Sequence, residues 1–341
     1  MIYYKKELVI GILVIIILVI ALAGVTFISP DVFGNVTNGS TKTFVNVTNT
    51  EPFIYKLDIT PSPVILTPGN ITNVTCTAYV RDWNGWQDFN NGTHNATLYD
   101  INYSWNSPDD RNYHYSNYNC GDCVPIPGDI FGTNATCNCT FQIYYFANDT
   151  TWICNYSVTD KGGQYWDNAT RRRKSLTANN ATTVVVDPLI AINVPDQIDY
   201  GELAVTENSS MIQANLTNFG NLHINISVDG WGGDNETLGQ NLSMICRRAT
   251  DGANLANISI QYEKYSVNAS TTYNNMTNLT SVPAFEIANF TLYQRLNDSN
   301  PAYGYDLNPT YWRIYIPPGT TGYCNGTIRF TAKAFPGEPG A

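Results

Sequence analysis

"TNATCNCTFQIYY", residues 133–145, holds two Asn-x-Thr sequons and two cysteines in its first eight positions. Read as an extended strand, its side chains alternate between two faces. Cys137, Cys139, Phe141 and Ile143 then share one face, and Asn134, Thr136, Asn138 and Thr140 the other. The competing reading is half of a metal knuckle, in which Cys120-x-x-Cys123 and Cys137-x-Cys139 offer four thiolates to zinc, although the Cys-x-Cys half departs from the usual ligand spacing.

The same split recurs along the chain. In "NVTCTAYV" Val74, Cys76, Ala78 and Val80 oppose Asn73, Thr75 and Thr77, and in "WICNYSV" Trp152, Cys154, Tyr156 and Val158 oppose Asn155 and Ser157. Leu222, Ile224, Ile226 and Val228 oppose Asn225 and Ser227; Leu242, Met244 and Cys246 oppose Asn241 and Ser243; Cys324, Ile328 and Phe330 oppose Asn325 and Thr327. Alternation therefore predicts that each of these sequons turns its Asn and its hydroxyl residue away from the core, as a bulky polar sugar requires.

The 341 residues contain 26 such triplets among 41 asparagines. Chance placement gives roughly six or seven, so the excess belongs to the triplet and not to asparagine alone. The candidate glycosylation sites are Asn35, Asn38, Asn46, Asn70, Asn73, Asn91, Asn95, Asn102, Asn134, Asn138, Asn148, Asn155 and Asn168 in the first half. Asn180, Asn208, Asn215, Asn225, Asn235, Asn241, Asn257, Asn268, Asn275, Asn278, Asn289, Asn297 and Asn325 complete the set. A net charge of −10 with only 13% charged residues argues against an electrostatic grip on nucleic acid.

The sequon is meaningful only on the exported side of a membrane, and the N-terminus supplies an export signal. Residues 8–28 carry no charge and are long enough to cross a bilayer as a helix, with Lys5 and Lys6 just before them. This predicts a cytoplasmic stretch at 1–7, a transmembrane anchor at 8–28 and an extracellular remainder. A cleaved signal peptide is the second reading, since Ala21 and Ala23 form an Ala-x-Ala site, but the apolar run exceeds the usual signal core. Export favours disulfides over zinc for the eight cysteines. A nested pairing of Cys120 with Cys139 and Cys123 with Cys137 closes most naturally, and the others stay open.

After the N-terminal segment, alternating runs of five to nine residues are broken by Gly, Pro, Asn and Asp, and no long helical period appears. The expected fold is all-β, with two tandem β-sandwiches after an N-terminal transmembrane helix. The expected divisions are a stalk or strand segment at 29–51, sandwiches at 52–186 and 187–334, and a flexible tail at 335–341. In the first sandwich, Val74 to Cys76 leads to a turn with Asp82, Asn84, Gly85 and Asp88, and Trp152 to Cys154 leads to Thr159 and Asp160. These stretches resemble immunoglobulin-like domains of archaeal cell-surface glycoproteins. The resemblance implies a sandwich whose Cys76 and Cys154 join the two sheets. Residues 187–334 are similar, more weakly, to β-sandwich modules of prokaryotic surface proteins, and Cys246 and Cys324 are the only cysteines there to pair.

Chemistry-bearing patterns are few. Asp82, Asn84 and Asp88 could hold calcium if Asp109, Asp110 or Asp160 completed the shell; the plainer reading is an Asx turn. His94, His114 and His223 fall on polar strand faces or in a Tyr-rich loop, and no nucleophile elbow, phosphate loop or His-Glu-x-x-His occurs, so no enzyme activity or cofactor is expected. Arg171 to Lys174 reads as a charged edge strand. The expected function is structural: a glycosylated, membrane-anchored surface protein that builds an envelope layer or filament with copies of itself. Residues 44–48 could complete the sheet of a neighbour. The alternative is an adhesin that binds glycans or another cell through Trp83, Trp86, Trp105, Trp231 and the tyrosines at 113, 115 and 118.

Overall fold

In the computed structural model the alternating stretches at 73–80, 134–144 and 152–158 form strands, as do 224–228, 242–246 and 324–330. The structure describes residues 40–45, 47–89, 93–160, 166–167, 172–173, 176–296 and 301–338. The chain divides into two units, residues 1–47 and 48–341. In the first, residues 40–45 and 47 belong to no helix or strand, and Phe44, Val45 and Val47 are 89%, 86% and 53% exposed. The expected span at 8–28 lies outside the described residues, among which no helix is long and apolar enough to cross a membrane.

The second unit is all-β. Its first ten strands are β1 (Phe53–Thr60), β2 (Ile71–Arg81), β3 (Asn95–Asp100), β4 (His114–Asn117), β5 (Val124–Pro125), β6 (Asn134–Tyr144), β7 (Thr151–Thr159), β8 (Trp166–Asp167), β9 (Arg172–Arg173) and β10 (Thr177–Val185). Sheets of order β1-β2-β6-β5 and β10-β7-β3-β4 enclose one core. The inward row of β2, Val74, Cys76, Ala78 and Val80, is fully buried, as are Trp152, Cys154, Tyr156 and Val158 of β7. β8 and β9 pair as a short ribbon, which contains Arg172 and Arg173; Arg171 and Lys174 lie outside the described residues.

The next ten strands are β11 (Ile192–Asn193), β12 (Ile212–Asn218), β13 (Ile224–Gly232), β14 (Leu242–Arg247), β15 (Asn254–Ser259), β16 (Glu263–Ser266), β17 (Thr277–Asn278), β18 (Phe285–Leu292), β19 (Leu307–Ile314) and β20 (Tyr323–Ala334). They form sheets of order β11-β12-β19-β16-β17 and β15-β14-β20-β13-β18, with Leu216, Ile224, Ile226 and Trp312 at the centre of a second core.

Four disulfides staple these layers. Cys76–Cys154 joins β2 to β7 across the first core, and Cys246–Cys324 joins β14 to β20. Cys120–Cys139 and Cys123–Cys137 tie the loop after β4 to the buried face of β6. All eight cysteines are thus bonded, which leaves no thiolate for zinc.

The two sandwiches meet through asparagines and an ion pair. Asn112 donates Nδ2 to the Phe146 carbonyl (3.0 Å) and to that of Arg295 (2.7 Å). Asn221 donates to the Ala147 carbonyl and accepts from the Leu189 amide. Arg295 is buried against Asp306 (2.8 Å) and lies over the rings of Tyr145 and Phe146. Gly69 (φ +65°) belongs to the same joint: a Cβ there would stand 2.4 Å from the Phe219 ring.

Candidate functional site

The placement of asparagines is selective. Of the 20 sequon asparagines among the described residues, none is buried. The buried asparagines are Asn112, Asn218 and Asn221, all outside sequons and all bonded to backbone carbonyls. Not every sequon amide is idle, however. Asn148 donates Nδ2 to Asp100 and accepts from Gln294 at the joint between sandwiches, and Asn134 donates to Asp129.

The expected outward turn of each hydroxyl residue fails at two places. Ser227 and Ser243 are buried. Both sit where strand register slips, β13 against β18 and β14 against β15. The faces do not exchange, since Ile224, Ile226 and Val228 stay in the second core and Met244 packs with Cys246; each serine is buried because the opposite face is covered as well, which alternation in sequence does not reveal.

The second sandwich is open along one edge. β20 pairs with β13 from Gly326 to Ala334, but on its other side β14 reaches only Tyr323 to Asn325. Gly326 marks the parting: an ideal Cβ there would lie 1.9 Å from the Ser243 carbonyl oxygen, so only glycine lets β14 cross so closely. Beyond that point no described strand pairs with the outer edge of β20. Ile328, Phe330 and Ala332 pack on the second core yet stay half-buried, whereas Ile224 and Ile226 beside them are fully buried. A cavity of about 260 Å3 lies along this edge, between β20 and the stretch from Val194 to Tyr200.

Glu263 lines the same cavity, is 2% exposed and accepts a hydrogen bond from the Tyr200 hydroxyl at 2.7 Å. Burial pushes its carboxyl up to about 7, against the opposing pull of the Tyr200 bond. The folded state therefore holds a proton that the unfolded chain releases near pH 4.5. Stability is full below that value and falls as pH rises toward 7, by roughly 3 kcal/mol at most given about 1.4 kcal/mol per pH unit. The Glu263→Gln variant is expected to lose this decline and to be the more stable protein at pH 8, as read from denaturation midpoints between pH 5 and 8.

At the far end of the first sandwich, three carboxylates converge. Ligand oxygens of Asp82, Asp88 and Asp160 lie within 4.8 Å of one another. Asp160, at the end of β7, is one of the residues expected to complete the shell, and it joins Asp82 and Asp88 here. Asn84 is turned to the incoming chain, its Oδ1 accepting from the Thr50 amide and its Nδ2 donating to the Thr48 carbonyl. Asn49 donates to Asp160 at 2.8 Å.

Two of the three histidines, His94 and His114, are more buried than their polar neighbours suggest. His94 contacts the Gly121 carbonyl at 2.6 Å, and His114 sits between Asp109 and the Trp105 carbonyl. Among the candidate aromatics, Trp83, Trp105 and Tyr118 are exposed, while Trp86 and Tyr115 pack on the core and Arg329 covers Trp231. Trp83 follows the end of β2 near Asn134, and Trp105 follows the end of β3 near Trp152, so the two stand at opposite ends of the sandwich.

No protein-family model matches the chain, and no curated protein sequence is similar to it. Among solved structures, a chain of the chaperone–tip adhesion subunit pre-assembly complex from archaic chaperone-usher Csu pili of Acinetobacter baumannii aligns at 10% identity, TM-score 0.35, over 82% of this chain and 100% of that one. A chaperone–tip adhesin complex of CFA/I fimbriae aligns at 10% identity and TM-score 0.29, over 82% and 78%. The C-terminal domain of the Streptococcus agalactiae AgI/II polypeptide BspA aligns at 9% and 0.20, over 83% and 96%. Likenesses this distant carry no functional argument.

Proposed function

We propose that the chain is an N-glycosylated structural protein of the cell surface that polymerises head to tail, residues 41–48 of one copy adding a strand to β20 of the next. The observation that carries this reading is the unpaired edge of β20 above a half-covered apolar row. Eight extended residues span about 27 Å and the nine open positions of β20 about 30 Å, so donor and acceptor match in length. By alternation Val45 and Val47 enter the groove while Asn46, the sequon residue, faces out, the same phase as elsewhere in the chain. Each buried valine contributes on the order of 1.5–3 kcal/mol.

The polarity follows from the strand registers. Phe53 pairs with Arg81, so residues 48–52 enter at the Asp82 end of the first sandwich, whereas the second sandwich joins at the end holding Asn148. A donor at one pole and an acceptor in the other domain make a heterologous contact, which propagates unless it closes into a ring. Solvent-facing sequons fit an exported, glycan-coated polymer with a membrane-anchored start, and the reading assigns the chain no catalysis. The first sandwich fits an immunoglobulin-like type: its orders correspond to A-B-E and G-F-C-C′, and Trp152, two residues before Cys154, donates Nε1 back to the Asn148 carbonyl in the manner of a tyrosine corner. These features support an immunoglobulin-like reading of the first sandwich.

Deleting residues 41–48 from the exported chain is expected to leave its denaturation midpoint unchanged and to abolish polymers in negative-stain micrographs. A synthetic peptide of residues 40–49 should bind the deleted chain. Polymers indistinguishable from those of the intact chain would sink the proposal.

The adhesin reading has one feature in its favour, an open depression of about 490 Å3 lined by Tyr262, Tyr273 and Tyr315 with Lys264 over the Tyr273 ring. Sequons at Asn208 and Asn278 line it too. Glycans there would compete with a ligand for the space.

A further inference from the structure

We propose that Asp82, Asp88 and Asp160 together bind one calcium ion at the end of the first sandwich where the chain enters it. Three observations meet here. The carboxylate oxygens are close enough to share an ion, within 4.8 Å of one another. Asp82 is fully buried, and among the described residues its Oδ2 has no hydrogen-bond partner, although its Oδ1 accepts from the Asn84 amide at 2.8 Å. A buried carboxylate oxygen left without a donor costs free energy unless a proton or a cation satisfies it. Lastly, among the described residues no ion pair neutralises Asp82: Arg81, next in sequence, points to Asn134 and lies over Trp83 and Tyr55.

The ligand chemistry selects the ion. Three carboxylates and no imidazole or thiolate form a hard, all-oxygen set, which suits calcium or magnesium over zinc or copper. The groups come from one loop and a strand end, a variable arrangement that calcium tolerates better than magnesium, which needs near-octahedral geometry. Burial, with Asp88 and Asp160 nearby, pushes the Asp82 carboxyl up to about 6. An ion bound there would satisfy the buried Asp82 oxygen and offset the negative charge that three convergent carboxylates bring together.

The location gives the ion a structural role. Thr48, Asn49 and Thr50 lie across these loops, held by Asn84 and Asp160. Calcium between β2, the turn after it and β7 would therefore lock the entry of the chain to the sandwich, independently of how residues 41–47 are used.

The test uses the exported chain stripped with EGTA, then titrated with calcium chloride, with magnesium chloride in parallel. Calcium at 1–5 mM is expected to raise Tm by several degrees, and terbium should show luminescence sensitised by Trp83 and Trp86. Asp88→Asn, at a half-buried position, should fold and weaken calcium binding at least tenfold; Asp82→Asn should abolish the calcium-dependent shift. A wild-type Tm indifferent to calcium, with Asp82→Asn more stable than wild type in EGTA, would mean that a shared proton satisfies the cluster, and overturns the site. An equal calcium shift in wild type and both variants would place the ion elsewhere and overturn it too.

Discussion

Replacing Cys76 and Cys154 with alanine together is expected to destabilise the protein by about 4–5 kcal/mol, the value for releasing a loop of some 80 residues in the unfolded chain. The bonded residues are 78 apart in sequence, and the bond crosses between sheets. Both sulfurs are fully buried, so the alanines also leave a gap between β2 and β7 that the surrounding side chains can fill only in part. Cys123–Cys137, with a separation of 14, gives a useful internal contrast: the same relation predicts about 3 kcal/mol for its removal. Guanidinium unfolding of both double variants measures the difference. A loss below about 1 kcal/mol for the long-range bond would show that the unfolded chain is already compact enough to forgo it.

Asp306→Ala should cost 3–5 kcal/mol, the range for removing one partner of a buried ion pair. Arg295 would keep its charge with 8% of its side chain exposed and no carboxylate to meet it. The loss reaches further than the pair. Asp306 also accepts from the Ala302 amide, and its backbone carbonyl accepts from Asn218, while the Arg295 carbonyl receives Asn112 from the first sandwich. We therefore expect the variant to melt in two steps, the sandwiches unfolding separately, and proteases to cut between residues 186 and 192 sooner than in wild type. A single transition at the wild-type temperature would show that the joint rests on the asparagine bonds alone. The Arg329–Asp229 pair, with the arginine 41% exposed, should respond less because water screens the orphaned charge.

Period-two alternation made most of the fold legible, because each inward row of β2, β6, β7 and β13 meets a core that admits only apolar side chains and cysteine. It failed at Ser227 and Ser243, which lie opposite the apolar row on a face that other parts of the fold cover as well. The acidic cluster was half legible: Asp82 and Asp88 share one turn, but Asp160 arrives from a strand end 72 positions later, and Asn84 faces the incoming chain instead. The groove had no local signature. Ile328 and Phe330 alternate like any buried row, and only the register shows that β14 abandons β20 at Gly326. Nor did composition separate Asn112, Asn218 and Asn221 from the sequon asparagines; the missing hydroxyl two residues on was the available clue.

The attachment of β20 also decides how the second sandwich answers to tension. A pull along β20 loads its nine consecutive pairs with β13 in shear, all at once, instead of peeling them one after another. At the Tyr323 end the Cys246–Cys324 bond is a covalent stop, so the strand cannot slide past β14 before the sandwich itself gives way. Resistance to stretching is then governed by the rate of forced unfolding and not by equilibrium stability. Reduction of that bond would remove the stop and, at the same 78-residue separation as Cys76–Cys154, also about 4–5 kcal/mol of stability at rest.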